Sequence, residues 1–137
     1  MKQKIFISHS SIDTWVARQI QSKLTDLGVL TFLDEGCIAI GDDFEGVILK
    51  ELRTSDELIV LLTPWALQRP YVWLEIGAAW MKDIRIIDVL HGLTFEDIST
   101  NSKNPILIKK NNLVNLNDLD KYFEQLGKRL SELKSQS

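Results

Sequence analysis

Leu58-Ile59-Val60-Leu61-Leu62-Thr63 is the stretch that decides the fold. Five consecutive aliphatic side chains leave no polar face, so a strand built from them has to be covered on both sides. That is the situation of a central strand in a parallel sheet, whose crossover connections lay helices over both faces. Working outward, four more short apolar runs read as strands: Ile5-Phe6-Ile7-Ser8, Val29 to Leu33, Ile84 to Leu90, and Ile106-Leu107-Ile108. All are rich in Ile, Val, Leu and Phe.

Helical spacing fills the intervals. Val16, Ile20, Leu24 and Leu27 make one apolar stripe, with Ser10 and Asp13 resembling a capping box before it and Gly28 a stop signal after it. Phe44, Val47, Ile48 and Leu52 make a second stripe, with Asp42 or Asp43 as N-cap. Pro70 suits the first turn of a third helix, because its missing N–H falls among donors that have no helical partner there. Val72, Ile76, Ala79 and Trp80 are that helix's expected core side. Leu116, Leu119, Tyr122 or Phe123, Leu126 and Leu130 mark a last helix to about Leu133. The stretch 92–104 has no clean period and reads as loop with a short helix.

The order β-α-β-α-β-α-β-(irregular)-β-α predicts an α/β fold of three layers, α/β/α, around a five-stranded parallel sheet. The flavodoxin-like strand order 2-1-3-4-5 fits best. At 137 residues the chain makes one domain, with its core over about 4–133. It is 45% hydrophobic and 26% charged, and its formal net charge is −3, which argues against a nucleic-acid partner. No apolar run reaches the length of a membrane span, the first residues lack a signal-peptide core, and a cytoplasmic location is expected. The single cysteine, Cys37, excludes an internal disulfide and a multi-cysteine zinc site, and no metal is expected.

In such sheets ligands bind beyond the strands' carboxyl ends, where strand order reverses. Three segments converge there. Ser8-His9-Ser10-Ser11 offers hydroxyls beside a helix start, suited to phosphate groups, although either Ser10 or Ser11 could simply cap the helix. Residues 34–43, Asp34-Glu35-Gly36-Cys37-Ile38-Ala39-Ile40-Gly41-Asp42-Asp43, are long for a βα connection, and Ile38 and Ile40 hint at a partner surface. Cys37 has no neighbouring base and reads as an incidental thiol. The third segment ends on Glu75, with Tyr71 one turn before it on the same helix face. A carboxylate among apolar residues there is paired, solvated at a helix edge, or held for chemistry.

Taken in order, Ile5-Phe6-Ile7-Ser8-His9-Ser10, Phe32-Leu33-Asp34 with Ile38, Gly41 and Phe44, Ser55 with Leu61-Leu62-Thr63-Pro64, and Tyr71 with Glu75 resemble the successive boxes of a TIR (Toll/interleukin-1 receptor) domain. The similarity runs from Lys4 to about Leu130 and is nearest to bacterial members. It implies the flavodoxin-like fold and, for the NAD-cleaving members, a catalytic glutamate on the third helix, which is Glu75 here. NAD⁺ is then substrate, and no separate cofactor is implied. Ser8, His9, Ser10, Ser11, Asp34, Gly41, Phe44 and Tyr71 are the implied substrate contacts. The loop carrying Cys37, Ile38 and Ile40 corresponds to the one through which such domains associate with each other. Three departures stand out: Tyr71 replaces a frequent tryptophan, Ser10 stands where animal NAD-cleaving members carry a cation, and Ile40 stands where a proline often precedes the glycine.

Two classes of function follow. One is NAD⁺ cleavage to nicotinamide and ADP-ribose or a cyclic isomer, in bacterial immune or stress signalling and activated by TIR–TIR assembly. The other is a non-catalytic scaffold acting through homotypic contacts, with a further domain or effector protein as a possible partner. A phosphoacceptor receiver is excluded by Ser8-His9 and Thr63-Pro64 where it needs acidic residues. A Rossmann dehydrogenase or a nucleoside triphosphatase lacks its glycine-rich loop. An FMN carrier has only Trp65 to offer as a ring to cover a flavin, and a deoxyribosyltransferase relative would use similar glutamate chemistry.

Overall fold

A computed structural model describes residues 2–33, 44–99 and 113–136. The elements are β1 (Lys4–Ser8), α1 (Thr14–Asp26), β2 (Leu30–Leu33), α2 (Phe44–Arg53), β3 (Glu57–Leu62), α3 (Pro70–Lys82), β4 (Arg85–Leu90), α4 (Phe95–Ser99), β5 (Leu113–Asn115) and α5 (Leu119–Ser135). All neighbouring strands pair in parallel, in the order β2-β1-β3-β4-β5. Every residue of β3 is buried, as its unbroken apolar run requires. No helix among the described residues is long and apolar enough to cross a membrane.

The pleat sends alternate side chains to two separate cores. Phe6, Phe32, Leu58, Val60, Leu62, Ile86 and Leu90 face α2, α3 and α4, meeting Ile48, Leu52, Val72, Ile76, Ala79 and Ile98. Ile5, Ile7, Leu33, Ile59, Leu61 and Val89 face α1 and α5, meeting Ala17, Ile20, Leu24, Leu119, Tyr122 and Leu126. Gly28, at φ +82°, turns the chain from α1 into β2 through the left-handed region.

Several expectations change. The proposed strand Ile106–Ile108 lies outside the described residues, and the fifth strand of the sheet is Leu113–Asn115. Trp80 is half exposed, because Val72, Ile76 and Ala79 already fill the buried side of α3. Leu27, past the end of α1, is also partly exposed. The capping box is replaced by a 3-10 turn at Ser11–Asp13: the Ser10 hydroxyl accepts from Ile12 N–H, while the Asp13 carboxylate turns inward.

Asp88 is buried in β4 between strands β3 and β5, in register with Val60 and Leu113. Its Oδ1 has no hydrogen-bond partner among the described residues, and burial pushes the carboxyl up to about 7. A folded-state value above the unfolded one means full stability below about pH 4 and progressive loss as pH rises towards 7. Asp88→Asn is therefore expected to gain stability over the parent across that window. The gain should reach the order of 4 kcal/mol and level off about a unit above pH 7. Urea unfolding of both proteins at pH 4 to 8 measures it, and a pH-independent difference would contradict the assignment.

Candidate active site

The carboxyl ends of β1 and β3 and the first turns of α3 bring the candidate residues together. Glu75 is only 3% exposed, which overturns the solvated-glutamate alternative. Its position in the second turn of α3, one residue before the core residue Ile76, points it under the end of β1. There the Ser8 hydroxyl donates to Glu75 Oε1 at 2.6 Å. A serine donor at that distance holds the carboxylate in one orientation.

Around this pair runs a buried polar frame. Thr63 Oγ1 donates to Asp13 Oδ2 at 2.6 Å and accepts from Ala66 N–H at 3.1 Å, tying the loop after β3 to the start of α1. Arg69 reaches across and donates to the His9 carbonyl at 2.7 Å. Ser8, His9, Ser10, Asp13, Thr63 and Glu75 are all buried, so this end of the sheet is a rigid polar floor. Ser11, by contrast, is exposed. Of the three serines, Ser8 orients the glutamate, Ser10 serves as N-cap, and Ser11 alone faces solvent.

Glu75 lines a pocket of about 640 Å³ between α2 and α3, together with Glu45, Ile48, Leu49, Pro70, Tyr71 and Leu74 among others. Tyr71 forms part of its wall, and its phenol donates to Glu45 Oε1 at 3.0 Å. The hydrogen bond from the phenol to Glu45, reinforced by that carboxylate's charge, raises the Tyr71 pKa and keeps the group a donor. Asp34, Cys37, Ile38, Ile40 and Gly41 lie outside the described residues. Phe44 opens α2, with its side chain likewise outside the description. Among the described residues no cluster of His, Cys, Asp and Glu could hold a metal ion.

Asp13, Thr63 and Arg69 lie in the segments expected to converge here, 8–13 and 63–75, but the sequence assigns them no role in the site. Asp13 looked like a helix cap, and Thr63 like the last residue of a strand. The partners of Asp13 and Arg69 lie 50 and 60 residues away, where no local pattern reports them.

Ser8→Ala removes the hydrogen bond that fixes Glu75 and leaves a buried carboxylate short of a donor. It is expected to cost about 1–3 kcal/mol in chemical denaturation. A loss below about 0.5 kcal/mol would show that Ser8 does not hold the carboxylate.

No curated protein matches this chain. Solved structures with the same fold include the TIR domain of the Toll-related receptor TRR-2 from Hydra magnipapillata. It is 18% identical, with a TM-score of 0.70 over 91% of this chain and 94% of that one. The TIR domains of the activated Roq1 resistosome, which recognises the pathogen effector XopQ, align with a TM-score of 0.62 at 15% identity. That match covers 77% of this chain and 66% of theirs. The CMP N-glycosidase BcmB of Clostridium botulinum is also similar, at 15% identity and a TM-score of 0.56, covering 90% of this chain and 98% of that one. The family model for TIR domains matches residues 5–130, and with that span and this topology the chain belongs to the TIR domain family.

Proposed function

We propose that the chain cleaves the nicotinamide–ribose bond of NAD⁺, with Glu75 as the catalytic residue. The observation that carries this reading is a buried glutamate, oriented by Ser8, at the wall of a largely apolar pocket whose other polar groups are Tyr71 and Glu45. Breaking the bond between C1′ and the pyridinium nitrogen sends the electron pair to nicotinamide, which leaves neutral and needs no general acid. The ribose is left with oxocarbenium character, as in glycoside hydrolysis. A carboxylate fixed beside it stabilises the developing positive charge and accepts hydrogen bonds from the ribose hydroxyls. Water then adds at C1′ and gives up its proton to solvent, yielding ADP-ribose; an internal nucleophile yields a cyclic isomer.

The fold shared with an enzyme named for cleaving an N-glycosidic bond supports the same class of chemistry here. The test is to incubate the purified, concentrated chain with NAD⁺ and follow nicotinamide by chromatography. Release is expected. Its absence even when the domains are forced to assemble would sink the reading.

Assembly with other TIR domains is the second reading, favoured by large apolar side chains left in solvent: Met81 is 86% exposed, Trp15 69% and Ile12 64%. The two readings overlap, since assembly can activate a site as well as recruit partners. The residue 34–43 loop would take part, so Ile40→Asp is expected to weaken self-association in sedimentation experiments. Unchanged association would remove the loop from the interface.

A further inference from the structure

We infer that Arg69 is the cation that receives the diphosphate of a dinucleotide ligand, an assignment that rests on the NAD⁺ reading above. Its guanidinium donates to one backbone carbonyl, that of His9, and among the described residues no carboxylate pairs with it. An arginine offers five donors in a planar fork, so one bond to a carbonyl leaves most of that capacity unused. The guanidinium is half-buried, and its loop meets the carboxyl edge of the sheet where Ser8 holds Glu75.

The surrounding sequence makes this cation singular. The stretches 8–14, 34–43, 63–75 and 91–99 follow the first four strands, and Arg69 is the only lysine or arginine in any of them. The same stretches contain Asp13, Asp34, Asp42, Asp43, Glu75 and other acids. In a chain of net charge −3, a diphosphate at that edge needs a cation to meet it, and Arg69 is the one those stretches offer. The expected serine cradle does not supply the charge: Ser8 is bonded to Glu75, and Ser10 is buried as a cap.

Arg69 and Glu75 are six residues apart, at the start and in the second turn of α3, and they engage consecutive residues of the β1 loop. One grips the His9 carbonyl and the other accepts from the Ser8 hydroxyl. A ligand running along this edge would meet the carboxylate at its ribose and the guanidinium at its phosphates. The cation absent at Ser10 is thus supplied from a different element.

Titrations of the whole chain by NMR with ADP-ribose and with adenosine test this. Arg69→Gln is expected to weaken ADP-ribose binding about tenfold and adenosine binding less than about twofold, the difference being the charge-assisted contact. Arg69→Lys should fall between the parent and Arg69→Gln, and raised salt should weaken the parent more than the glutamine variant. A purely structural Arg69 would lower the thermal midpoint and weaken both ligands alike. That outcome overturns the proposal, as does unchanged ADP-ribose binding in Arg69→Gln or a parent that does not bind ADP-ribose. Selective binding of ADP-ribose through Arg69 without nicotinamide release would defeat the cleavage reading alone. Release indifferent to Arg69→Gln would defeat this one alone.

Discussion

Glu75→Gln is expected to lower nicotinamide release by about a thousandfold while leaving the fold intact. The size follows from the chemistry. A carboxylate facing an oxocarbenium-like centre in a largely apolar pocket acts where charge develops, and removing such a preorganised group costs about 3–4 kcal/mol in the barrier. Glutamine keeps the shape and still accepts from the Ser8 hydroxyl, so the buried donor of Ser8 stays satisfied. Stability should therefore change little, and the KM for NAD⁺ less than kcat, because the interaction strengthens mainly in the transition state. Glu75→Ala should be equally inactive but also less stable, since it leaves the Ser8 hydroxyl buried and unpaired. The measurement is initial-rate release by parent, Glu75→Gln and Glu75→Ala at equal folded concentration. Gln activity within tenfold of the parent would mean that the carboxylate's charge is not what the reaction uses.

The sequence carried the first four strands and the strand order because the physics is local and repetitive. An unbroken apolar run in β3 admits one environment, and a single connected alternation of strands and helices admits few topologies. The same locality explains what it hid. Whether Glu75 points to water or under β1 depends on about half a turn of helix phase and on a serine 67 residues away. Trp80 continues the four-residue spacing of Val72 and Ile76, but those two and Ala79 already fill the buried side of α3. Arg69 gave no signal at all, since a cation before a helix-starting proline is ordinary on its face. Its meaning comes from the His9 carbonyl to which it donates and from the scarcity of other cations in the segments after the strands. Leu113–Asn115 was missed as a strand because three residues are too few to show a period.

Arg129→Ala is expected to produce the largest loss of stability outside the two hydrophobic cores, on the order of 3–5 kcal/mol. Glu57 opens β3 at the opposite end of the sheet from Glu75, and it is 2% exposed. Arg129 in α5 grips it with two parallel bonds, NH1 to Oε2 at 3.2 Å and NH2 to Oε1 at 3.1 Å, and the Tyr122 hydroxyl donates to Oε1 at 3.0 Å. Burial, then the adjacent Glu57 charge, pushes the Tyr122 phenol well above its ordinary range, so it remains a donor at any pH the protein meets. Taking Arg129 away leaves a carboxylate inside the protein with one neutral donor, and the desolvation cost is then uncompensated. Most domains have only about 5–15 kcal/mol in total, so the thermal midpoint should fall by roughly 10 °C or more. Replacing both partners, Glu57→Gln with Arg129→Met, should recover much of the loss, because the buried charge goes with its partner. The four proteins of that cycle and Arg129→Ala, unfolded in urea, decide the matter. A single Arg129→Ala cost below about 1 kcal/mol would mean that water or another cation serves Glu57 instead. A double variant no better than the single would mean that α5 is held to β3 by the arginine's packing rather than its charge.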